Sequence, residues 1–490
     1  MSGSSRLAAR TLRSMGWAYG SYVGGRLLVL ISTVVLARLL TPAEFGVVAL
    51  ALTFMVFLDT VKDLGLGQAL IVAPDNQIEE RAQTAFGWSL MVGAGLSLIT
   101  ITISPLASAF FSAPGLGALL AVLGLNFFLR SIGVTHYALA RRALDFRSRT
   151  LAELADASVR GIGSIALALA GLGAWSLVLG YLMGTSAMVA TIWWRVSFRP
   201  RLRLQRAHLR ELLTFGGMLT VVDIGHALAH EIDYLFIARV LGVAPLGLYS
   251  VGFRLPELLI VNLAVVAGTV LFPAYALLDP ARLREAFLVS LRYTALLVFP
   301  VAVGLVLLAR PVVLTLFGER WEEAIPVMQV LAIYAVVVTL NVPAGTVYKV
   351  TNRPWILVAF TIPYVIVLAI ALTLLTHLGI VAVAIVMAGL QGLFAIAGWL
   401  VSARILEVAP GRIAGVLAGP AAAATTMAVA IALVAQVVTS PGALLVAGGA
   451  AGAAGYALGV WTFAGDAVGR LREMAFGRRT TRPAAPTLSR

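Results

Sequence analysis

Arg26, Asp59, Lys62, Asp63, Arg130, Asp156, Arg160, Asp223, His226, His230, Asp233, Arg254 and Glu257 stand inside stretches that are otherwise apolar. A charge in hydrocarbon is expensive, so each calls for a partner or a watery cavity. Helical spacing supplies some partners. Lys62 lies three residues after Asp59 and next to Asp63, Arg160 four after Asp156, and Glu257 three after Arg254. Such pairs can neutralise each other and hold helices in place. Arg26 and Arg130 have no opposite charge one helical turn away. They need partners from other helices or an anionic ligand. Arginine suits phosphate, because its planar fork donates two hydrogen bonds at once. The candidates for substrate binding are therefore Arg26, Lys62, Arg130, Arg160 and Arg254. Asp59, Asp63, Asp156, Asp223, His226, His230, Asp233 and Glu257 are candidates for cavity walls or for coupling to H⁺ or Na⁺. Asp233 is expected to support the cavity side of its helix more than to couple. His226 and His230 stand four apart, as helical metal ligands would. The string HALAHE lacks a Glu after the first His, and no third ligand is in view, so they read as a polar, proton-responsive wall. No metal and no cofactor is expected. No glycine-rich phosphate loop, nucleophile elbow or kinase-like motif is present, so no catalytic residue is assigned.

The elements that position these charges are membrane helices. Sixty per cent of the 490 residues are hydrophobic and 12% charged, which excludes an ordinary soluble domain. The absence of cysteine excludes disulfides and thiolate metal sites. A net charge of +14 would suggest nucleic acid in a soluble protein; here it reads as positive charge holding loops in the cytoplasm, and no nucleic-acid partner is expected. A spanning helix needs about 20 largely apolar residues. Fourteen stretches qualify: 15–37, 45–72, 83–104, 117–140, 150–171, 174–195, 212–240, 246–275, 288–309, 324–347, 354–376, 379–401, 413–438 and 442–463. Charges crowd the first half of 150–171. With a cytoplasmic N-terminus, the internal segments hold most of the arginines, including Arg141, Arg142, Arg147, Arg149 and six between Arg195 and Arg210. External loops hold little beyond Arg38, Arg239, Arg310 and Arg320. The acidic stretch 74–81 is the exception, and acidic residues weigh little in this rule. Both termini are expected inside.

Part of the chain is written twice. Residues 12–46 align without gaps on 213–247, and ARLLTPAEFG (37–46) falls on ARVLGVAPLG (238–247). Six spans separate the copies, so both cross in the same direction, as parallel repeats with a cavity between them. The expected fold is all-α and polytopic. An N-terminal lobe of six helices occupies 1–195, a basic cytoplasmic linker 196–211, and a C-terminal lobe of six helices 212–402. Two accessory helices rich in Ala and Gly follow in 403–465, and a basic, disordered cytoplasmic tail in 466–490. Small residues let the accessory pair pack closely.

Several stretches resemble the polysaccharide-transporter family of the multidrug/oligosaccharidyl-lipid/polysaccharide exporter superfamily. They are ARLLTPAEFGVVALALTF (37–54), LGLGQALI (64–71), RRALDFRSRTLAELADASVRG (141–161), GLGAWSLVLGYL (171–182), EIDYLFIARVLGVAPLGLYSVGFRL (231–255) and FGERWEEAIPVMQVLAIY (317–334). The similarity spans roughly residues 10–465 and is closest to colanic-acid-type, Wzx-like oligosaccharide flippases. It implies a two-lobe bundle that turns a polyprenyl-diphosphate-linked glycan across the inner membrane by alternating access. Membrane lipids and the polysaccharide polymerase and export machinery would be its partners. It also implies a cavity like that of the related lipid II flippases, lined by arginines from helices 1, 2 and 8. Arg26 and Arg254 match helices 1 and 8; helix 2 offers Lys62 between two aspartates instead. Ion coupling and potential-driven uniport both fit these residues. The competing readings are a cation-coupled multidrug exporter, an enzyme that polymerises or ligates lipid-linked glycans, and a non-transporting assembly partner. The short external loops speak against the enzyme.

Overall fold

The apolar periodicity of the chain resolves into helices, and no strand occurs among the described residues. A computed structural model describes residues 24–62, 70, 78–201 and 228–465. The helices are α1 (24–39), α2 (Pro42–Lys62), α3 (Ile78–Phe110), α4 (Leu116–Arg142), α5 (Phe146–Leu169) and α6 (Ala174–Arg195). Then come α7 (228–240), α8 (Val243–Pro256, continued over Asn262–Ala276), α9 (Pro280–Leu307) and α10 (Ile325–Val350). The last four are α11 (Trp355–Leu375), α12 (Ile380–Ile405), α13 (Pro410–Val437) and α14 (Pro441–Phe463). Among the described residues, eleven helices are long and apolar enough to cross a membrane. The eleven do not include α5, whose first half carries Glu153, Asp156 and Arg160. The expected first and seventh spans are described only over α1 and α7.

Local chemistry sets the helix starts. Thr41 and Glu44 form a reciprocal capping box before α2: the Glu44 carboxylate accepts from the Thr41 N–H at 2.7 Å, and the Thr41 hydroxyl accepts from the Glu44 N–H at 3.3 Å. Asp145 caps α5 by accepting from the Ser148 N–H at 3.0 Å. Asp279 caps α9 in the same way, at 2.9 Å from the Arg282 N–H, with Pro280 at the first helical position. In α8 the helix widens into a π-turn over Glu257–Val261, directly after Pro256. Such turns accompany functional sites; Glu257 opens this one and Arg254 stands just before it.

The described residues form two units. One holds those up to Leu258 together with Val313–Tyr334 and Pro354–Phe394. The other holds Leu259–Val312, Ala335–Arg353 and the residues from Ala395 onward. The second unit has an apolar core of Tyr275, Phe287, Leu291, Val347 and Leu406 among others. In it, α13 and α14 meet along small residues: a Cβ on Gly459 would lie 2.7 Å from the Ala423 Cα, and one on Gly452 2.9 Å from Ile431. Tyr456 fixes α14 to α9 by donating to the Leu296 carbonyl at 2.6 Å.

In the first unit the described parts of the two copies, 24–46 and 228–247, meet at their C-terminal ends. A Cβ on Gly46 would fall 1.6 Å from the Val243 carbonyl oxygen, and one on Gly247 would fall 1.8 Å from that of Pro42. Gly46 and Gly247 are repeat partners, and so are Pro42 and Val243. The contact is thus self-complementary, as across a two-fold axis. The preceding arginines cross over too. Arg38 donates through Nε to the Leu316 carbonyl at 2.9 Å and through Nη2 to the Thr315 carbonyl, where the π-turn Val313–Phe317 ends. Its counterpart Arg239 sits over the ring of Phe110, the last residue of α3, with 5.0 Å to the centroid. Trp321 completes the seam: fully buried, it donates to the Ala37 carbonyl at 2.9 Å and meets the Phe45 ring edge-on.

Candidate functional site

A cavity of about 470 Å³ opens within this first unit, walled by α1, α2, α5, α6, α7 and the first half of α8 with the start of its π-turn, and touched by Leu123 of α4. Positions related by the repeat's offset of 201 face it in pairs, Thr33 with Tyr234 and, carrying the offset past residue 46, Ala49 with Ser250, Thr53 with Arg254, and Val56 with Glu257. Their helical phase explains this, since positions three and four apart share a face. Three arginines, Arg26, Arg160 and Arg254, and two carboxylates, Glu231 and Glu257, line it beside the hydroxyls of Ser32, Ser164 and Tyr181.

The cationic candidates are held differently. Arg254 donates to Glu257 at 3.1 Å across the one-turn spacing, and both side chains stay part-exposed. Arg160 Nη2 contacts both Asp156 oxygens at 2.7 Å, and the guanidinium lies over Tyr181 with 4.1 Å to the ring centroid. Arg26 is half-buried on α1. Arg130 lies outside the cavity lining and pairs across helices with Asp59 at 2.9 Å. The sequence asked Arg130 for a partner from another helix, and α2 supplies it. The Lys62 side chain and Asp63, Asp223 and His226 lie outside the described residues. His230 is exposed and does not line the cavity.

The α7 carboxylates divide by helix face. Asp233 is 3% exposed and turns away from the cavity; the Tyr249 hydroxyl donates to it at 2.6 Å and the Tyr234 N–H at 3.0 Å. Glu231 faces the cavity and accepts from the Thr53 hydroxyl at 2.9 Å, joining α7 to α2. Residue-by-residue reading favoured Asp233 over Glu231. The signal that distinguishes them is phase along α7, where Glu231 and Tyr234 stand three apart on one face; the repeat does not give it, since Ser32, the partner of Asp233, lines the cavity and Leu30, the partner of Glu231, does not. Tyr181 and the cavity hydroxyls carried no charge to draw attention. Among the described residues, no group of three His, Asp or Glu side chains is arranged to hold a metal.

Chemically the cavity is a cationic, hydroxyl-rich recess inside an apolar helical unit. The arginine forks fit phosphate oxygens and the hydroxyls and tyrosines fit sugar. The model of a family described as "Polysaccharide biosynthesis protein" matches residues 35–326, which carry all the cavity-lining residues except Arg26, Val29, Ser32 and Thr33. The chain belongs to this polysaccharide biosynthesis family. Among relatives of the family member, the succinoglycan biosynthesis transport protein ExoT of Rhizobium meliloti is 30% identical over 66% of this chain and 66% of its own length. The lipopolysaccharide biosynthesis protein WzxC of Escherichia coli is 27% identical, again over 66% of each chain. The chain thus aligns with just under two thirds of the length of these curated relatives. In fold, the chain is similar to the lipid II flippase MurJ in its inward closed conformation. The TM-score is 0.73 at 13% identity, covering 92% of this chain and 99% of that one.

Proposed function

We propose that this protein is a flippase that carries polyprenyl-diphosphate-linked oligosaccharide across the inner membrane during export of cell-surface polysaccharide. The observation that carries the reading is the cavity with Arg26, Arg160 and Arg254 on its walls. A diphosphate diester carries about two negative charges, and arginines lower the cost of taking them out of water. Release still has to follow, and Glu231 and Glu257 moderate the positive field. An inside-negative potential favours outward movement by about 2.3 kcal/mol per charge per 100 mV. Relatives named for transport and lipopolysaccharide biosynthesis support the same reading. A cation exporter would call for the opposite balance, with carboxylates outnumbering arginines.

In this reading both termini are cytoplasmic and the Gly46–Gly247 seam closes the external end. The six-helix lobes 1–195 and 212–402 rock about the cavity as parallel repeats. The polymerase and export machinery receive the flipped glycan.

The test is reconstitution in proteoliposomes with a labelled polyprenyl-diphosphate-linked glycan. Arg26→Ala and Arg254→Ala are each expected to cut flipping at least tenfold with insertion intact. Lys at either site is expected to restore it only in part, because an ammonium keeps the charge and loses the fork. Arg254→Ala with Glu257→Ala separates substrate contact from scaffold: an ion pair removed whole costs little structurally, so restored flipping would assign Arg254 to the scaffold. A wild-type protein that fails to move the lipid would overturn the proposal.

A further inference from the structure

The three cavity arginines differ in how firmly they are aimed. Arg254 and Glu257 are both part-exposed on a helix that widens at the next turn. Arg160 is confined from two sides. Asp156 takes Nη2 with both carboxylate oxygens, and Tyr181 of the neighbouring helix covers the flat face of the guanidinium at 4.1 Å. A notch in α6 makes room for the assembly. A Cβ on Gly184 would lie 2.5 Å from Asp156 Oδ1 and 2.8 Å from the Arg160 Cβ, so only glycine lets α6 come so near. A guanidinium has five N–H donors in a fixed plane. Asp156 engages one terminal nitrogen and Tyr181 occupies a face, and neither uses the rest of the fork. Arg160 and Tyr181 both line the cavity.

We propose that Tyr181 is a positioning residue for substrate: it stacks on Arg160 and holds that arginine as a pre-aimed diphosphate ligand, with Asp156 as the second strut and Gly184 as the space that admits them. This rests on the flippase reading and deepens it. The physical reason is entropy. A free arginine loses rotamer freedom when it binds phosphate, whereas one already clamped by a ring and a carboxylate has lost most of it beforehand. A cation–π contact of a part-buried guanidinium corresponds to a factor of about five to twenty in affinity.

The experiment measures flipping of a fluorescent polyprenyl-diphosphate-linked monosaccharide in proteoliposomes, and thermal stabilisation of the detergent-purified protein by inorganic diphosphate. Tyr181→Leu is expected to raise the half-saturating lipid concentration about five- to twentyfold while the maximal rate stays within about twofold. Tyr181→Phe keeps the stacking ring and loses only the hydroxyl, so it is expected to raise that concentration by about threefold or less. In an Arg160→Ala background, Tyr181→Leu is expected to add nothing, because the two act as one unit. Diphosphate stabilisation should weaken in Tyr181→Leu and persist in Tyr181→Phe. The inference is overturned if Tyr181→Leu binds and flips like wild type, if Phe is as damaging as Leu, or if the two substitutions are additive. A wild type that neither flips the lipid nor responds to diphosphate would overturn the flippase reading, and this inference with it. A responsive wild type with an indifferent Tyr181→Leu would overturn this inference alone.

Discussion

The seam around Gly46 and Gly247 and the cavity beside it are built from the same repeated sequence, yet they diverge in opposite ways. At the seam the copies agree. Ala37 and Ala238, Arg38 and Arg239, and Gly46 and Gly247 are identical pairs, and the contact made by the two glycines is reciprocal. On either side of the seam along the chain, the copies part. Leu30, Thr33, Thr53 and Val56 in the first copy correspond to Glu231, Tyr234, Arg254 and Glu257 in the second. Three of these pairs reach the wall together while Glu231 does so without Leu30, and the substitutions in the second copy supply three of the wall's five charged side chains, Glu231, Arg254 and Glu257. A self-complementary contact requires matching surfaces. In the proposed flippase reading, holding an asymmetric lipid-linked headgroup does not, and there divergence is useful.

The comparison can be broken most directly at the glycines. Gly46→Val and Gly247→Val would each drive a side chain into a backbone carbonyl that cannot retreat. Each is expected to abolish folded yield or transport, and the two by similar amounts, read from purified yield and proteoliposome flipping. Tolerance of one but not the other would show that the seam is not functionally symmetric. The wall should show the reverse. Arg254→Thr, which installs its counterpart's residue, is expected to raise the half-saturating lipid concentration at least tenfold. Thr53→Ala, which removes only the hydrogen bond to Glu231, should change it by about threefold or less. Equal effects would remove the functional asymmetry. The cross-docked arginines give the smallest difference. Arg38→Ala loses charge-assisted bonds to two carbonyls, about 1–2 kcal/mol at this exposed position. Arg239→Ala loses a cation–π contact, about 0.5–1 kcal/mol. Thermal unfolding in detergent should rank Arg38→Ala as the more destabilised.

Much of the fold was legible because hydrocarbon leaves the chain few choices. Apolar runs of about 20 residues can satisfy their backbone only as helices, so the expected spans and the described helices agree to within a few residues over most of the chain. Arg26, Arg160 and Arg254 were legible as candidates for the same reason, since an intramembrane charge is costly and needs a use. Spacing along one helix also foresaw the Arg160–Asp156 and Arg254–Glu257 pairs.

What spacing could not show is which charges meet across helices. Arg130 belongs with Asp59, 71 positions away, and not with the cavity. Asp233 points into protein, while Glu231, two residues earlier, faces the cavity. Tyr181 became relevant only when α6 was seen to lie against Arg160. The sequence by itself determined that this is a duplicated, helical membrane protein with arginines inside its apolar stretches, because composition, periodicity and repetition act locally along the chain. Only the tertiary structure decided which of those side chains share a cavity, because helix rotation and close approach, set at Gly46, Gly184 and Gly247, depend on what each helix meets and not on its own residues.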